Sequence, residues 1–526
     1  MSVSKRFRKP MLTVSAAAAL SIGSSAIAAD SELFEPTMKS LQENFQIPEW
    51  YKDAKFGIFA HWGPQCQPEA GDWYAREMYI DGNWKSNFHK EKYGDPKTFG
   101  FKDIIQEWHA DKWDPDYLAG VFKMMGAKFL VSLANHHDNF DLWDSKYQEW
   151  NSMDIGPKRD IAGEWKKACE KAGLHWGASV HASHAWCWYE TSRPYDGLLT
   201  KADGKGTWWG KLGLDPQELY AQKHEASPDN RHWDWDPKRV VTPDKEYRDK
   251  FMKRHKQLID DYHPEILYYD DTVVPFYPTL NDGVELTAYY YNQSLKYHNG
   301  KQEVLATGKI LKGDQTKALV WDVERGVPGD IVTPYWQTDT CLGNWHYERS
   351  VYNRNGYKSA STVISMLINI VSKGGNLLLS VPIRGNGTID EKELAVCQEI
   401  GAWMKINGEG IYGTRLWKKY GEGPQADGPQ ARLNNQGFNE GQGKAATAQD
   451  FRFTSKGDTV YAFTLMVPET NTAMTLKSFA DKKVKSVKLL GANAAPQWKQ
   501  NEDGTLEIVS PDKKDFKIAL CYKIEF

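Results

Sequence analysis

The feature of this 526-residue chain that most restricts its fold is a positional one: between about residues 55 and 410, short apolar runs alternate with amphipathic segments, and several runs end in an ionisable residue. Runs at 56–61, 129–134, 175–180, 265–269, 304–307, 318–323 and 376–381 read as strands. Alternation of this kind argues for βα units closing a parallel sheet. The 114–126 segment illustrates the helical part: Asp114 can cap and Pro115 fits the first turn. Tyr117, Leu118, Val121, Phe122 and Met125 then recur at helical spacing, and Gly126 stops the run. Similar helices are expected at 160–171, 247–262 and 357–372.

His61, His136 with His137, His181 and Asp270 each follow one of these runs, and Glu324 follows another. A strand of period two has no intrinsic reason to end in histidine. In a (β/α)8 barrel, the rim at the C-terminal ends of the strands holds the active site, whereas the opposite rim mostly contributes stability. The expected architecture is therefore a (β/α)8-like catalytic barrel over residues 30–410. The Gly-, Gln- and Asn-rich stretch up to about residue 450 reads as a linker and solvent-facing loops. Further short strands at 459–467, 474–476, 487–490, 506–509 and 518–526 then point to a C-terminal antiparallel β-sandwich, domain 411–526.

Residues 1–29 stand outside the fold. Lys5, Arg6, Arg8 and Lys9 precede an alanine-rich apolar run, and Ala26-Ile27-Ala28 supplies a small-x-small cleavage pattern. This reads as a secretory signal peptide, too broken by Ser and Gly for a membrane span, so an exported protein, periplasmic or extracellular, is expected. Losing four basic side chains and no acidic one makes the chain more acidic than its formal net charge of -3, which argues against a nucleic-acid partner. The six cysteines lack metal-ligand spacing and leave room for one or two bridges at most. The 22 Trp, 26 Tyr and 20 Phe suit either a large barrel core or a sugar site, where flat rings cover C–H faces. Gly374-Gly375 and Arg384-Gly385-Asn386-Gly387 lack the Lys-Ser/Thr of a phosphate loop and read as turns.

Two carboxyls at one rim, Asp270 and Glu324, suit glycoside hydrolysis, which needs one carboxylate to attack and one acid to protonate the leaving oxygen. Asp270-Asp271 also suits a plain strand end and cap. His136-His137-Asp138, with His61 and His181 nearby, invites a metal-dependent hydrolase as the rival class. Neighbouring strand residues point to opposite sides, however, and no His-Glu-x-x-His element is present. Hydroxyl recognition is the preferred role, with no metal and no cofactor; a sugar-binding protein without catalysis is the third reading.

The stretches Trp50 to Gly63, Asp72-Trp73-Tyr74-Ala75, His136-His137-Asp138, Leu142-Trp143-Asp144-Ser145, Gly156 to Asp160, Pro264 to Asp270, Trp336-Gln337-Thr338-Asp339-Thr340 and Lys373 to Leu379 resemble, in order, the α-L-fucosidase family, glycoside hydrolase family 29. The resemblance implies a barrel followed by a β-sandwich and a retaining exo-glycosidase acting on oligo- or polysaccharide. It also implies Asp270 as nucleophile, Glu324 as acid/base where one branch of the family carries it, and His61, Trp73, His136, His137 and Trp336 among the sugar contacts. Asp72 stands where the family usually has Glu, the 179–184 segment replaces a Tyr-containing strand end, and Lys309 stands where many members have Arg. These departures make L-galactose, the same ring with a hydroxyl on C6, the alternative terminal sugar, with His181 or Lys309 as an extra polar partner.

Overall fold

In the computed structural model, residues 33–231, 234–428, 433, 439–440 and 445–526 are described, and residues 34–526 form one compact unit. The signal-peptide expectation falls outside the described residues. Among those residues, no helix is long and apolar enough to cross a membrane.

Eight parallel strands close a barrel in strict sequence order: β1 (Phe56–Ala60), β2 (Phe129–Leu133), β3 (His175–Val180), β4 (Ile266–Tyr269), β5 (Leu305–Gly308), β6 (Val320–Glu324), β7 (Trp336–Cys341) and β8 (Gly375–Ser380). β8 pairs back onto β1, with Ile58 opposite Leu379. The strands are buried on both faces, as expected when helices cover the outside and side chains fill the inside. Gly57 in β1 is required by close approach: a Cβ there would lie 2.2 Å from the Phe129 ring on β2.

The helices follow their local signals. Asp114 accepts from the Tyr117 amide at 3.0 Å to start Pro115–Met124. Asp160 does the same for Ile161–Ala172, which Gly173 ends in the left-handed conformation. Lys245–Tyr262 and Ala360–Ser372 complete the expected set within a turn.

The expectation missed β7. Its inward residues are Gln337, Asp339 and Cys341, so the strand has no apolar run, and its apolar contribution, Trp336, points outward. Trp336 is fully buried, with its indole N–H donating to the Lys373 carbonyl at 3.1 Å at the start of the strand. The sugar-contact expectation for Trp336 is therefore corrected: strand parity turns it to the outer layer, and its position puts it at the rim opposite the strand ends.

The C-terminal part holds two antiparallel sheets. β9 (Gly421–Glu422), β10 (Phe451–Lys456), β11 (Thr459–Thr464), β13 (Ser486–Leu489) and β16 (Cys521–Glu525) form one, in the order β13-β16-β11-β10-β9. β12 (Ala473–Leu476), β14 (Trp498–Gln500) and β15 (Leu506–Val509) form the other, in the order β12-β15-β14. Phe453, Leu476, Phe479, Leu506, Ile508 and Ile524 fill the core of this part. The sandwich is tied to the barrel helices, with the Trp403 indole N–H donating to the Ala519 carbonyl at 2.8 Å and Arg452 Nε donating to Asn369 at 2.7 Å. All six cysteines are buried free thiols, so no bridge contributes.

Candidate active site

A cavity of about 620 Å³ opens at the C-terminal rim of the barrel, lined among others by His61, Asp72, Trp73, His136, Asp270, Lys309 and Glu324. Strand parity explains who faces it. Tyr268 and Asp270 share one side of β4 and its end, Asp322 and Glu324 share one side of β6, and Gln337 and Asp339 share one side of β7. All of these inner sides converge on the barrel axis.

Asp270 is held at both oxygens. Oδ2 lies 2.9 Å from His137 Nε2 and 3.0 Å from His181 Nδ1, while Oδ1 lies 2.6 Å from Lys309 Nζ. Burial opposes the charge, but Lys309, His181 and His137 together outweigh it and hold the carboxyl well below the usual carboxylate range. Lys309 Nζ also donates to Glu324 Oε2 at 3.1 Å. Two contacts through one nitrogen put the carboxylate oxygens within about 6 Å of each other, against ~5–5.5 Å for a retaining pair and ~6.5–9.5 Å for an inverting one. Burial works against the lysine's charge too, yet its two carboxylate neighbours raise its pKa well above the ordinary value.

The histidines divide into two kinds. His137 and His181 stand behind Asp270 rather than lining the cavity. His181 is neutral in its bonding: its other nitrogen lies 2.5 Å from Ser179 Oγ, and burial brings it down to about 4. His137 faces two acceptors, Asp270 and the His181 carbonyl at 2.9 Å, so its ring satisfies both only with a proton on each nitrogen. Burial pulls against that second proton and the Asp270 carboxylate favours it.

His61 and His136 do line the cavity. Both are buried, and burial, reinforced by the surrounding imidazoles, lowers them well below the ordinary histidine value. They are neutral hydrogen-bonding rings. The Gln65 side-chain amide donates to His136 Nδ1 at 2.8 Å, which puts the His136 proton on Nε2 as a donor. His136, His137 and His181 do bring nitrogens within 4.8 Å of one another, the grouping the metal reading needs. The Asp270 carboxylate and the Gln65 amide already engage that set, and a His136 with Nε2 protonated has its one lone pair, on Nδ1, taken up by Gln65.

Asp271, one residue on, faces elsewhere. It accepts from Ser183 Oγ at 2.7 Å, the Trp235 indole at 3.1 Å and the Thr272 amide at 2.7 Å, with His184 Nε2 at 3.2 Å. It braces the loop. Asp72 accepts from the His346 amide at 2.6 Å, and Trp73, with a left-handed backbone at φ 59°, starts a short helix at the cavity edge.

Several lining residues went unread in the sequence: Tyr268, Asp322, Asp339, Trp345, His346 and Asn439. Asn439 and its neighbour Glu440 belong to the segment read as a solvent-facing linker, and that reading is corrected here. The Asn439 side-chain amide donates to the Glu324 carbonyl at 3.1 Å. Glu440 pairs with Arg325 at 3.0 Å and Lys358 at 3.2 Å and accepts from Thr340 Oγ1. Nothing in a Gly- and Gln-rich composition announces such a return onto the rim.

A closed parallel barrel with a carboxylate pair facing a sugar-sized cavity at its C-terminal rim has the layout of a glycosidase. The alpha-L-fucosidase family description matches residues 21–409, and that of the alpha-L-fucosidase C-terminal domain matches residues 444–525. The chain belongs to the alpha-L-fucosidase family. It is 28% identical to the human plasma alpha-L-fucosidase over 397 residues, 73% of each chain. It is 27% identical to the human tissue alpha-L-fucosidase over 491 residues, covering 91% of this chain and 88% of that one. Among solved structures, the Thermotoga maritima alpha-fucosidase in complex with a mechanism-based inhibitor superposes with a TM-score of 0.68 at 25% identity. That match covers 94% of this chain and all of the other.

Proposed function

We propose that this chain is an exported retaining exo-glycosidase that removes a terminal α-L-fucose, or the related L-galactose, from glycans by double displacement. Asp270 attacks the anomeric carbon while Glu324, protonated, delivers its proton to the departing oxygen. Glu324 then deprotonates the water that releases the sugar from the covalent intermediate. The observation that carries this reading is the single Lys309 ammonium bonded to both carboxylates, which keeps one oxygen of each within about 6 Å of the other and favours direct displacement over an intervening water. His137 and His181 aim Asp270 and disperse its charge. His61, His136, Asp72 and Trp73 hold the ring.

The roles separate in one experiment on an aryl α-L-glycoside with a good leaving group. Glu324→Gly loses about 10²–10⁴-fold in activity toward poor leaving groups, the range of general acid catalysis, and azide restores turnover with an α-azide product, since it takes the place of the water that opens the covalent intermediate. A first-formed sugar that is the β-anomer, or no azide effect on this variant, removes the retaining assignment. Full activity after exhaustive chelation excludes the metal-dependent alternative.

A further inference from the structure

The floor of the cavity carries more polar capacity than the reaction uses. Tyr268, on β4, reaches across the barrel with its hydroxyl 2.6 Å from Asp339 Oδ2 and 3.0 Å from Asp322 Oδ2, and the Gln337 amide donates to Asp322 Oδ1 at 2.7 Å. One phenolic proton cannot serve two ionised carboxylates, so Asp322 carries the second proton and the chain runs from Asp322 through Tyr268 to Asp339. Burial and the neighbouring Asp339 push Asp322 well up, while Asp339, with Lys309 close by, is raised only to about 6. Asp339 is 1% exposed, and its Oδ1 has no hydrogen-bond partner among the described residues although Asp339 lines the cavity. A buried acceptor left unmade is costly, the more so when charged. An O–H from a ligand would satisfy it.

A pyranose has two edges: C2–C3–C4, with three hydroxyls, and O5–C5, with C6. His61, His136 and Asp72 gather around His346 and supply donors and acceptors enough for the first edge. Asp339 lies on β7 as the register partner of Glu324 on β6, at the floor it forms with Tyr268 and Asp322, and that floor is left for the second edge. We propose that Asp339 is the specificity-determining residue of this pocket, accepting a hydrogen bond from a hydroxyl on C6, so that the enzyme prefers a terminal α-L-galactoside over its 6-deoxy counterpart. This rests on the catalytic reading above. The same carboxylate repels an anionic C6 substituent, so a sulfate there is excluded.

The test compares aryl α-L-galactoside with aryl α-L-fucoside on the full-length mature enzyme and its Asp339→Asn and Asp339→Leu variants. The wild type is expected to favour the galactoside in kcat/KM by about 10²-fold or more, since a site built to pair a hydroxyl rejects the analogue that lacks it. Asp339→Leu should cost the galactoside at least about 100-fold more than the fucoside, and Asp339→Asn, which keeps an acceptor oxygen, should give an intermediate ratio. Equal or reversed wild-type preference overturns the proposal, as does a parallel loss on both substrates in both variants, the mark of a merely structural carboxyl. Turnover of neither sugar by the wild type, or a fully active Asp270→Asn, defeats the catalytic reading instead.

Discussion

The two halves of the barrel rim do different electrostatic work. From β1 to β3 the ends carry imidazoles, and the two that line the cavity, His61 and His136, are held neutral by burial. From β4 to β7 they carry Asp270, Lys309, Glu324 and Asp339, charged or sharing charge across the cavity floor. Neutral rings can donate and accept towards hydroxyls without competing with the ionic chemistry opposite. Under the proposed mechanism, charge placed on only one side also defines which side of the sugar meets Asp270. A site of mixed charge all round would hold a ring equally well in several orientations.

The comparison breaks most completely at Asp270. Asp270→Asn should lower kcat/KM by about 10⁴-fold or more while the protein stays folded, since the covalent step disappears. Asp271→Asn should do the reverse: activity persists, and denaturant unfolding shows a loss of about 1–3 kcal/mol from donors left facing an amide. If the two variants exchanged behaviours, the assignment would have the wrong carboxylate.

Lys309→Met should come next, at about 10²–10³-fold in kcat/KM, a loss comparable to removing one preorganised electrostatic contact. Its diagnostic is the pH profile. The ammonium helps hold the Asp270 carboxyl below its ordinary range, so its removal raises that pKa, and the acid limb of kcat/KM must move to higher pH. An unmoved limb would mean that His137 and His181 alone keep the nucleophile ionised.

The smallest effect is expected at Glu440→Ala, which removes the carboxylate that Arg325, Lys358 and Thr340 share beside the strand end that carries Glu324. A fall in kcat of about 3- to 30-fold with KM little changed, smallest for good leaving groups, would mark it as a positioning residue for Glu324, because such substrates need little protonation. Equal losses for all leaving groups would show a general loosening of the rim.

Much of the rim was legible because apolar strand runs ending in His or Asp are a local pattern. His61, Asp270 and Glu324 were found from that pattern, each at the end of its own strand. Tyr268 and Asp322 were hidden within runs already counted as strand core, although parity alone puts them on the same side as Asp270 and Glu324. β7 escaped because a strand that lines a polar cavity has polar inward residues, and Trp336, its one conspicuous side chain, faces the helices. His137 and His181 were expected on sugar hydroxyls, and the structure packs both against the Asp270 carboxylate, a placement set by the loop geometry after β2 and β3.

By itself, then, the amino-acid sequence determined the barrel, the existence of a second β domain, the family and the two carboxyls, because periodicity, capping and strand-end placement are properties of neighbouring residues. Tertiary structure alone decided that Lys309 joins those carboxyls, that Asn439 and Glu440 return from 115 residues away in sequence to the strand ending in Glu324, and that Asp339 Oδ1 is buried with no partner among the described residues. Those facts depend on which strands become neighbours when the barrel closes, and closure brings together groups whose spacing along the chain carries no record of the meeting.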